Sequence, residues 1–324
     1  MEQAFSVAKR LIDGLGQVIR GKRETIDLVI TALLADGHVL LEDYPGSGKT
    51  TLSKTLGGLI SSDLEGQSDI ASFRRVQFTP DLLPGDVLGV NIFEPKEGSF
   101  RFIKGPVFSH IVLADEINRT GPKVQAAFLE CMAEKQVTID NTTYPLDALF
   151  FVIGTQNPLD LAGTYPLPLV QLDRFLFRVP MSYVDKQTEL EILTEHDQIS
   201  DRISDLTPVV SRSDILAARS EVKQVEITPI VRESIVDIVQ GTRDSKLVKI
   251  GASTRAALML QNALRAYAVV QERSYVTEDD LKYVTPFVLG HRVQLHPSGE
   301  SRQELIAALI EPHLERLIAQ PIAS

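Results

Sequence analysis

An apolar run, Val39-Leu40-Leu41, leads into Asp43-Tyr44-Pro45-Gly46-Ser47-Gly48-Lys49-Thr50, after which a helix-forming stretch continues to about Leu59. No other feature of the chain restricts its fold as strongly. Glycines in the loop let successive backbone N–H groups curl around phosphates, and a helix opening at Lys49 adds the positive potential of its N-terminus. Lys49 is then placed to reach β- and γ-phosphates and Thr50 to ligate magnesium. Gly46, Ser47, Gly48, Lys49, Thr50 and Thr51 are therefore the candidate nucleotide-binding residues. Asp43 stands where the usual G-x-x-x-x-G-K-[ST] pattern has its first glycine, but the Gly-Ser-Gly-Lys-Thr core and its strand–loop–helix setting are intact. Such a P-loop implies that ATP is the ligand and that a parallel sheet carries the loop.

The rest of the chain agrees with that sheet. Short apolar runs at Val39–Leu41, Arg75–Phe78, Ile111–Ala114, Phe150–Ile153 and Phe175–Phe177 alternate with helical segments, the pattern of parallel strands buried on both faces with crossover helices. After Tyr183 the strand signal fades. Helix-like spacing marks Thr188–Glu195, Pro229–Val239, Arg255–Gln271 and Glu278–Val288, with N-cap candidates at Thr228, Ser253 and Thr277. The expected fold is thus an α/β P-loop NTPase: a five-stranded parallel sheet with flanking helices over residues 1–182, and an all-helical domain over residues 183–324. A hydrophobic fraction of 44% in 324 residues suffices for two cores. A formal charge of −10 argues against a surface built to neutralise DNA or RNA. One cysteine, Cys131, excludes a disulfide framework and reads as a buried, inert thiol; the six scattered histidines, His291 and His296 included, form no zinc pattern. No apolar run approaches the ~18 residues of a membrane span and the N-terminus has no signal-like segment, so a cytoplasmic protein is expected.

Hydrolysis needs more than a binding loop. Ile111-Val112-Leu113-Ala114 ends in Asp115-Glu116, so the first carboxylate can hold magnesium through water and the second can act as general base toward an attacking water. Farther on, Phe150–Gly154 runs into Thr155-Gln156-Asn157-Pro158. Asn157 at the end of a neighbouring strand can orient water or the γ-phosphate; taken alone, Asn-Pro reads first as a turn.

The P-loop, Asp115-Glu116-Ile117-Asn118-Arg119 with Pro122-Lys123-Val124-Gln125, Gly154-Thr155-Gln156-Asn157-Pro158, Leu172-Asp173-Arg174-Phe175 and Gly251-Ala252-Ser253-Thr254-Arg255 together resemble the AAA+ ATPases, and within them the MoxR group, over nearly the whole chain. The resemblance implies that Asn157 is sensor 1, Arg174 the arginine finger offered to a neighbouring subunit, and Arg255 the lid arginine called sensor 2. It also implies that Gln17-Val18-Ile19-Arg20-Gly21 lies on the adenine side, making Val18 and Ile19 nucleotide contacts. Thr254 stands where many relatives have proline. On physical grounds, Arg255 follows the N-cap candidate Ser253 and should sit on the first turn of a lid helix, able to swing over bound nucleotide. Arg174 reads equally as a surface ion pair with Asp173, and Arg119 competes with it for the trans-acting role.

Two segments look like insertions: a hairpin near residues 90–103, and a second near residues 136–146 turning at Asn141-Thr142. By resemblance they are the helix-2 and pre-sensor-1 inserts. In the first, Lys96, Arg101 and Lys104 are offset by Glu94 and Glu97, unlike a DNA-translocating hairpin. Phe100 and Phe102 share one face, with Phe93 opposite, and that face either packs on the core or meets a client. The family implies a homo-oligomer, a hexameric ring, working on a protein client with a separate von Willebrand A domain partner, since this chain has no Asp-x-Ser-x-Ser. The alternatives are a metal-chelatase ATPase subunit and a nucleic-acid motor.

Overall fold

The computed structural model describes residues 1–43, 46–63, 70–157, 163–297 and 301–318. Tyr44, Pro45 and Pro158 of the motifs above lie outside the described residues.

Helices α1 (Glu2–Gly16) and α2 (Arg23–Leu34) precede the central strand β1 (Val39–Asp43), and the phosphate loop opens α3 (Lys49–Gly58). After the short β2 (Ile60–Ser61) comes β3 (Ala71–Gln77). A five-residue α4 (Pro84–Leu88) then leads into the hairpin β4 (Gly89–Glu94) and β5 (Ser99–Lys104). Strand β6 (Ser109–Asp115) is buried at every residue. It is followed by α5 (Pro122–Glu134), the second hairpin β7 (Gln136–Ile139) and β8 (Thr142–Pro145), β9 (Phe151–Gln156), the one-turn α6 (Leu169–Leu172) and β10 (Phe177–Met181).

Five strands form one parallel sheet in the order β10-β1-β9-β6-β3, as the alternating pattern predicts. Strand β10 begins later than the apolar run Phe175–Phe177 suggests: Phe175 and Leu176 are buried in the approach to the strand, and burial made them apolar. Side chains alternate between faces. Val39, Leu41, Ile111, Leu113 and Ile153 join α1, α2, α3 and the C-terminal helices in one core, while Leu40, Val112, Ala114 and Val152 join α4, α5 and the second hairpin in another. Both faces are dry, so these strands read as continuous apolar runs.

The C-terminal part contains α7 (Lys186–Thr194), α8 (His196–Ser204), β11 (Val210–Ser211), α9 (Arg212–Val222), α10 (Pro229–Asp244), β12 (Val248–Ile250), α11 (Thr254–Val270), α12 (Glu278–Leu289), β13 (Gln294–Leu295) and α13 (Arg302–Ile318). Thr228, Ser253 and Thr277 cap α10, α11 and α12, each hydroxyl accepting a backbone N–H three residues on. The C-terminal part is helical, as expected, with two short strand pairings added to it. Strands β12 and β13 pair antiparallel, and β11 pairs parallel with β2, just after α3. Pairings of two or three residues are too short to leave an alternating pattern in the sequence. No helix among the described residues is long and apolar enough to cross a membrane.

Candidate nucleotide site

Strands β1, β6 and β9 are parallel neighbours, so their C-terminal ends gather the phosphate loop, Asp115-Glu116 and Asn157 at one end of the sheet. Gly46 and Gly48 have φ of +86° and +91°, a region in which an L side chain is strained, and Gly48 is the N-cap of α3. A Cβ at either would meet nothing within 4 Å. Backbone conformation, not crowding, therefore requires glycine here, and the open loop fits a phosphate group.

Lys49 Nζ lies 3.4 Å from Asp115 Oδ1. Asp115 is only 2% exposed. Thr155, on β9, donates to its Oδ1 at 2.8 Å, and Arg75, on β3, donates to Oδ2 through Nη2 at 2.6 Å and Nε at 3.1 Å. Burial alone would raise the carboxyl, but the hydrogen bonds from Arg75 and Thr155, with the charges of Lys49 and Arg75, outweigh it and hold Asp115 below the usual carboxylate range. The result is an ionised, buried carboxylate next to the phosphate loop. Asp115 and the Thr50 hydroxyl on the first turn of α3 are the oxygen donors that could hold magnesium.

Glu116 turns out of the strand with φ 56° and ψ 50°, a left-handed conformation uncommon outside glycine. Its N–H donates to Thr155 Oγ1 at 2.8 Å, so one threonine orders both carboxylate residues. Glu116 Oε2 accepts from Gln77 Nε2 at 2.9 Å and pairs with Arg119 Nε at 3.1 Å. Arg75 in turn donates to Gln77 Oε1 at 2.8 Å, linking the surroundings of the two carboxylates. Sequence reasoning missed Arg75, Gln77 and Thr155. Their roles depend on strand register, Gln77 standing opposite Asp115, which no local motif encodes.

A cleft of about 290 Å³ joins Val18 and Ile19 to Gly46, Ser47, Gly48 and Thr51, the grouping expected for an adenine side. Its far wall comes from Tyr183, Val184, Ile192 and Ile199 in the C-terminal part, apolar residues that carried no motif. Gly21, at φ +67°, allows the close approach: a Cβ there would come within 2.7 Å of the Thr188 methyl. Lys22 Nζ bonds the Ser182 carbonyl, and Arg20 pairs with Glu195 at 2.6 Å. A roomier cleft of about 440 Å³ between α1 and residues 201–209 shares only Val18 with this one and contains no phosphate-loop residue.

The three arginines separate. Arg119 belongs to this end, against Glu116. Arg174 precedes β10, whose first residue, Phe177, pairs with Val39, the first residue of β1; the phosphate loop follows Asp43 at the other end of that strand, roughly 13 Å away. Arg174 Nη1 donates to the Leu129 carbonyl of α5 at 2.5 Å, and Asp173 pairs with Arg292 instead of with Arg174. Arg255 is the second residue of α11 and is exposed, as its cap predicts. Its surroundings lie by the approach to β10. The first turns of α11 pack beside Arg292, which takes Met259 Sδ at 3.0 Å and feels the charge of Arg255, and Arg292 bonds the backbone leading into β10. An N-cap fixes where a helix starts but not which end of the sheet it packs against.

Cys131 is buried in α5 and burial pushes its thiol up, as an inert thiol requires. His291 is buried and uncharged, since desolvation lowers it well below the usual range. No cluster suited to a metal forms from His, Cys, Asp and Glu among the described residues.

Comparison with known proteins agrees with this geometry. Residues 38–177 match the ATPase family associated with various cellular activities (AAA), and residues 240–312 match the AAA lid domain. The protein YeaC of Bacillus subtilis is 45% identical over 299 residues, covering 92% of this chain and 90% of its own length. Chaperone MoxR1 of Mycobacterium tuberculosis is 35% identical over 300 residues, covering 89% of this chain and 75% of its own. The crystal structure of a presumed ATPase from Cytophaga hutchinsonii superposes with a TM-score of 0.85 at 38% identity, over 96% of both chains. A phosphate loop, two ordered carboxylates at the end of a buried strand of the same sheet, and kinship with MoxR1 over 89% of this chain lead to one conclusion: the chain belongs to the MoxR family of AAA+ ATPases.

Proposed function

We propose that this ATPase works as an oligomeric remodelling factor of the MoxR type, cleaving ATP at sites shared between subunits to move its two hairpins against a protein client. In this reading Lys49 bears on the β- and γ-phosphates, and Val18 and Ile19 contact the base. Thr50 and Asp115 would hold magnesium, which when bound neutralises phosphate charge. Glu116 takes the proton from the attacking water, which requires it to exchange Gln77 and Arg119 for that water. Asn157 orients the water or the γ-phosphate. Arg174 and Arg255, at the opposite end of the sheet, are offered to a neighbour's nucleotide, in keeping with a head-to-tail ring. The same reading divides the chain near residue 182, with the later helices acting as a lid, and locates the protein in the cytoplasm with a separate von Willebrand A domain partner.

The observation that carries the client assignment is the first hairpin. Phe93 and Phe100 meet at a tilt, ring centroids 5.3 Å apart, yet are 50% and 70% exposed. Val90, Ile92 and Ile103 are also exposed, while Arg101 is paired with Glu94 at 3.3 Å. An apolar tip with opposed charges suits a protein surface better than a nucleic-acid backbone. Glu116→Gln protein held in ATP should retain client proteins that the Glu116→Gln, Phe100→Ala double variant releases. Single-stranded DNA should leave turnover unchanged. Strong, salt-sensitive stimulation by that DNA, with equal protein capture by both variants, would replace this reading with a nucleic-acid motor.

A further inference from the structure

Arg174 is held by a residue far from it in sequence. In the turn between α12 and β13, Arg292 is 3% exposed. Its guanidinium donates to Asp173 Oδ1 at 2.6 Å and to the Asp173 carbonyl at 3.0 Å, and then to the Phe175 carbonyl at 2.5 Å and the Leu176 carbonyl at 3.2 Å. Asp173 and Phe175 are the two residues flanking Arg174. One buried side chain thus fixes the backbone on both sides of the candidate finger, whose own Nη1 rests on Leu129.

The same guanidinium touches the helices of the C-terminal part. It donates to the Val288 carbonyl at the end of α12 and to Met259 Sδ on α11, and Arg255 lies close enough to act on its charge. Burying a guanidinium is costly unless every donor finds a partner, and a pair that only glued two surfaces together is commonly replaceable by apolar residues. Here the partners are concentrated on Asp173, Phe175 and Leu176, on either side of Arg174. A planar fork with five donors can grip such a stretch of backbone; a lysine cannot.

We propose that Arg292 is a positioning residue for Arg174: it sets the direction in which Arg174 is presented to the neighbouring subunit's ATP and makes that direction follow the C-terminal helices. The inference rests on the trans-acting reading of Arg174 given above. A shift of α11 and α12 would then carry Arg174 with it, so that the lid of one subunit governs cleavage in the next. Misplacement on the order of 1 Å at such a group can cost roughly 100-fold in rate.

The test uses full-length protein and mixed oligomers. Arg292→Lys keeps the charge but cannot bridge Asp173, Phe175 and Leu176 together; Asp173→Asn alters the partly exposed end of the pair and carries the test if the buried substitution prevents folding. Each variant should bind a fluorescent ATP analogue as the unmodified protein does and lose roughly 10–100-fold in turnover. Mixing with Lys49→Ala subunits, which can lend Arg174 but not use ATP, should restore activity. Mixing with Arg174→Ala subunits, which can use ATP but not lend the arginine, should not. Rescue by Arg174→Ala subunits, rescue by neither partner, as general destabilisation would give, or full activity of the variants alone would overturn the inference. The control mixture of Arg174→Ala with Lys49→Ala separates the two levels: if it stays inactive, the trans-acting reading itself has failed.

Discussion

Glu116 sits at the tightest point of the site. A left-handed backbone costs a non-glycine residue about 1–2 kcal/mol, and Thr155 Oγ1, bonding both the Glu116 N–H and the Asp115 carboxylate, helps to hold it there. On the proposed mechanism, Glu116→Gln preserves the shape and the backbone turn but removes the base. Turnover should fall by roughly 10²–10⁴ while ATP binding persists, and single-turnover kinetics beside a binding titration would check both. Near-normal turnover would remove Glu116 from the chemistry. The residues that make phosphate chemistry stand together in the sequence, because a loop and a strand end need only local spacing. Arg75, Gln77 and Thr155 stayed invisible because each reaches the site across a neighbouring strand, some 40 residues away along the chain.

The elements differ in how plainly they were written. Both hairpins were legible, though the second turns one residue earlier than Asn141-Thr142: Gly98 in one turn and Asp140-Asn141 in the other are left-handed, between short strands. The shared face of Phe100 and Phe102 was also legible, but its destination was not. Phe102 stacks on Tyr144 of the second hairpin at 4.0 Å and meets Phe108 edge-on at 5.6 Å, whereas Phe100, two residues nearer the tip, extends past that support. Alternation gives the face; only the length of the hairpin beyond its neighbour decides what covers it. Thermal or denaturant unfolding should therefore divide the pair. Phe102→Ala should cost roughly 2–3 kcal/mol, and Phe100→Ala no more than about 1 kcal/mol. Equal, large losses would return the tip to the core and withdraw it from client contact.

Across the whole molecule, the groups to which the proposed function gives ATP are split between two ends of one sheet. The phosphate loop, Asp115, Glu116 and Asn157 lie at the C-terminal ends of the strands, and Arg174 and Arg255 lie by the start of β10, over a strand length away. The sequence motifs named these groups but not the ends they occupy, because helix caps and apolar spacing do not say how α11 and α12 dock on the sheet. On that proposal, such a split leaves a lone chain incomplete and makes a head-to-tail pair whole. Specific activity should accordingly rise with protein concentration as subunits associate. The most direct measurement is the turnover of mixed oligomers of Lys49→Ala and Arg174→Ala subunits, each inactive alone. Partial recovery of ATP hydrolysis on mixing is the expected result, because some interfaces then pair an intact phosphate loop with an intact arginine; full turnover by Arg174→Ala protein alone, or by a demonstrated monomer, would contradict the shared site.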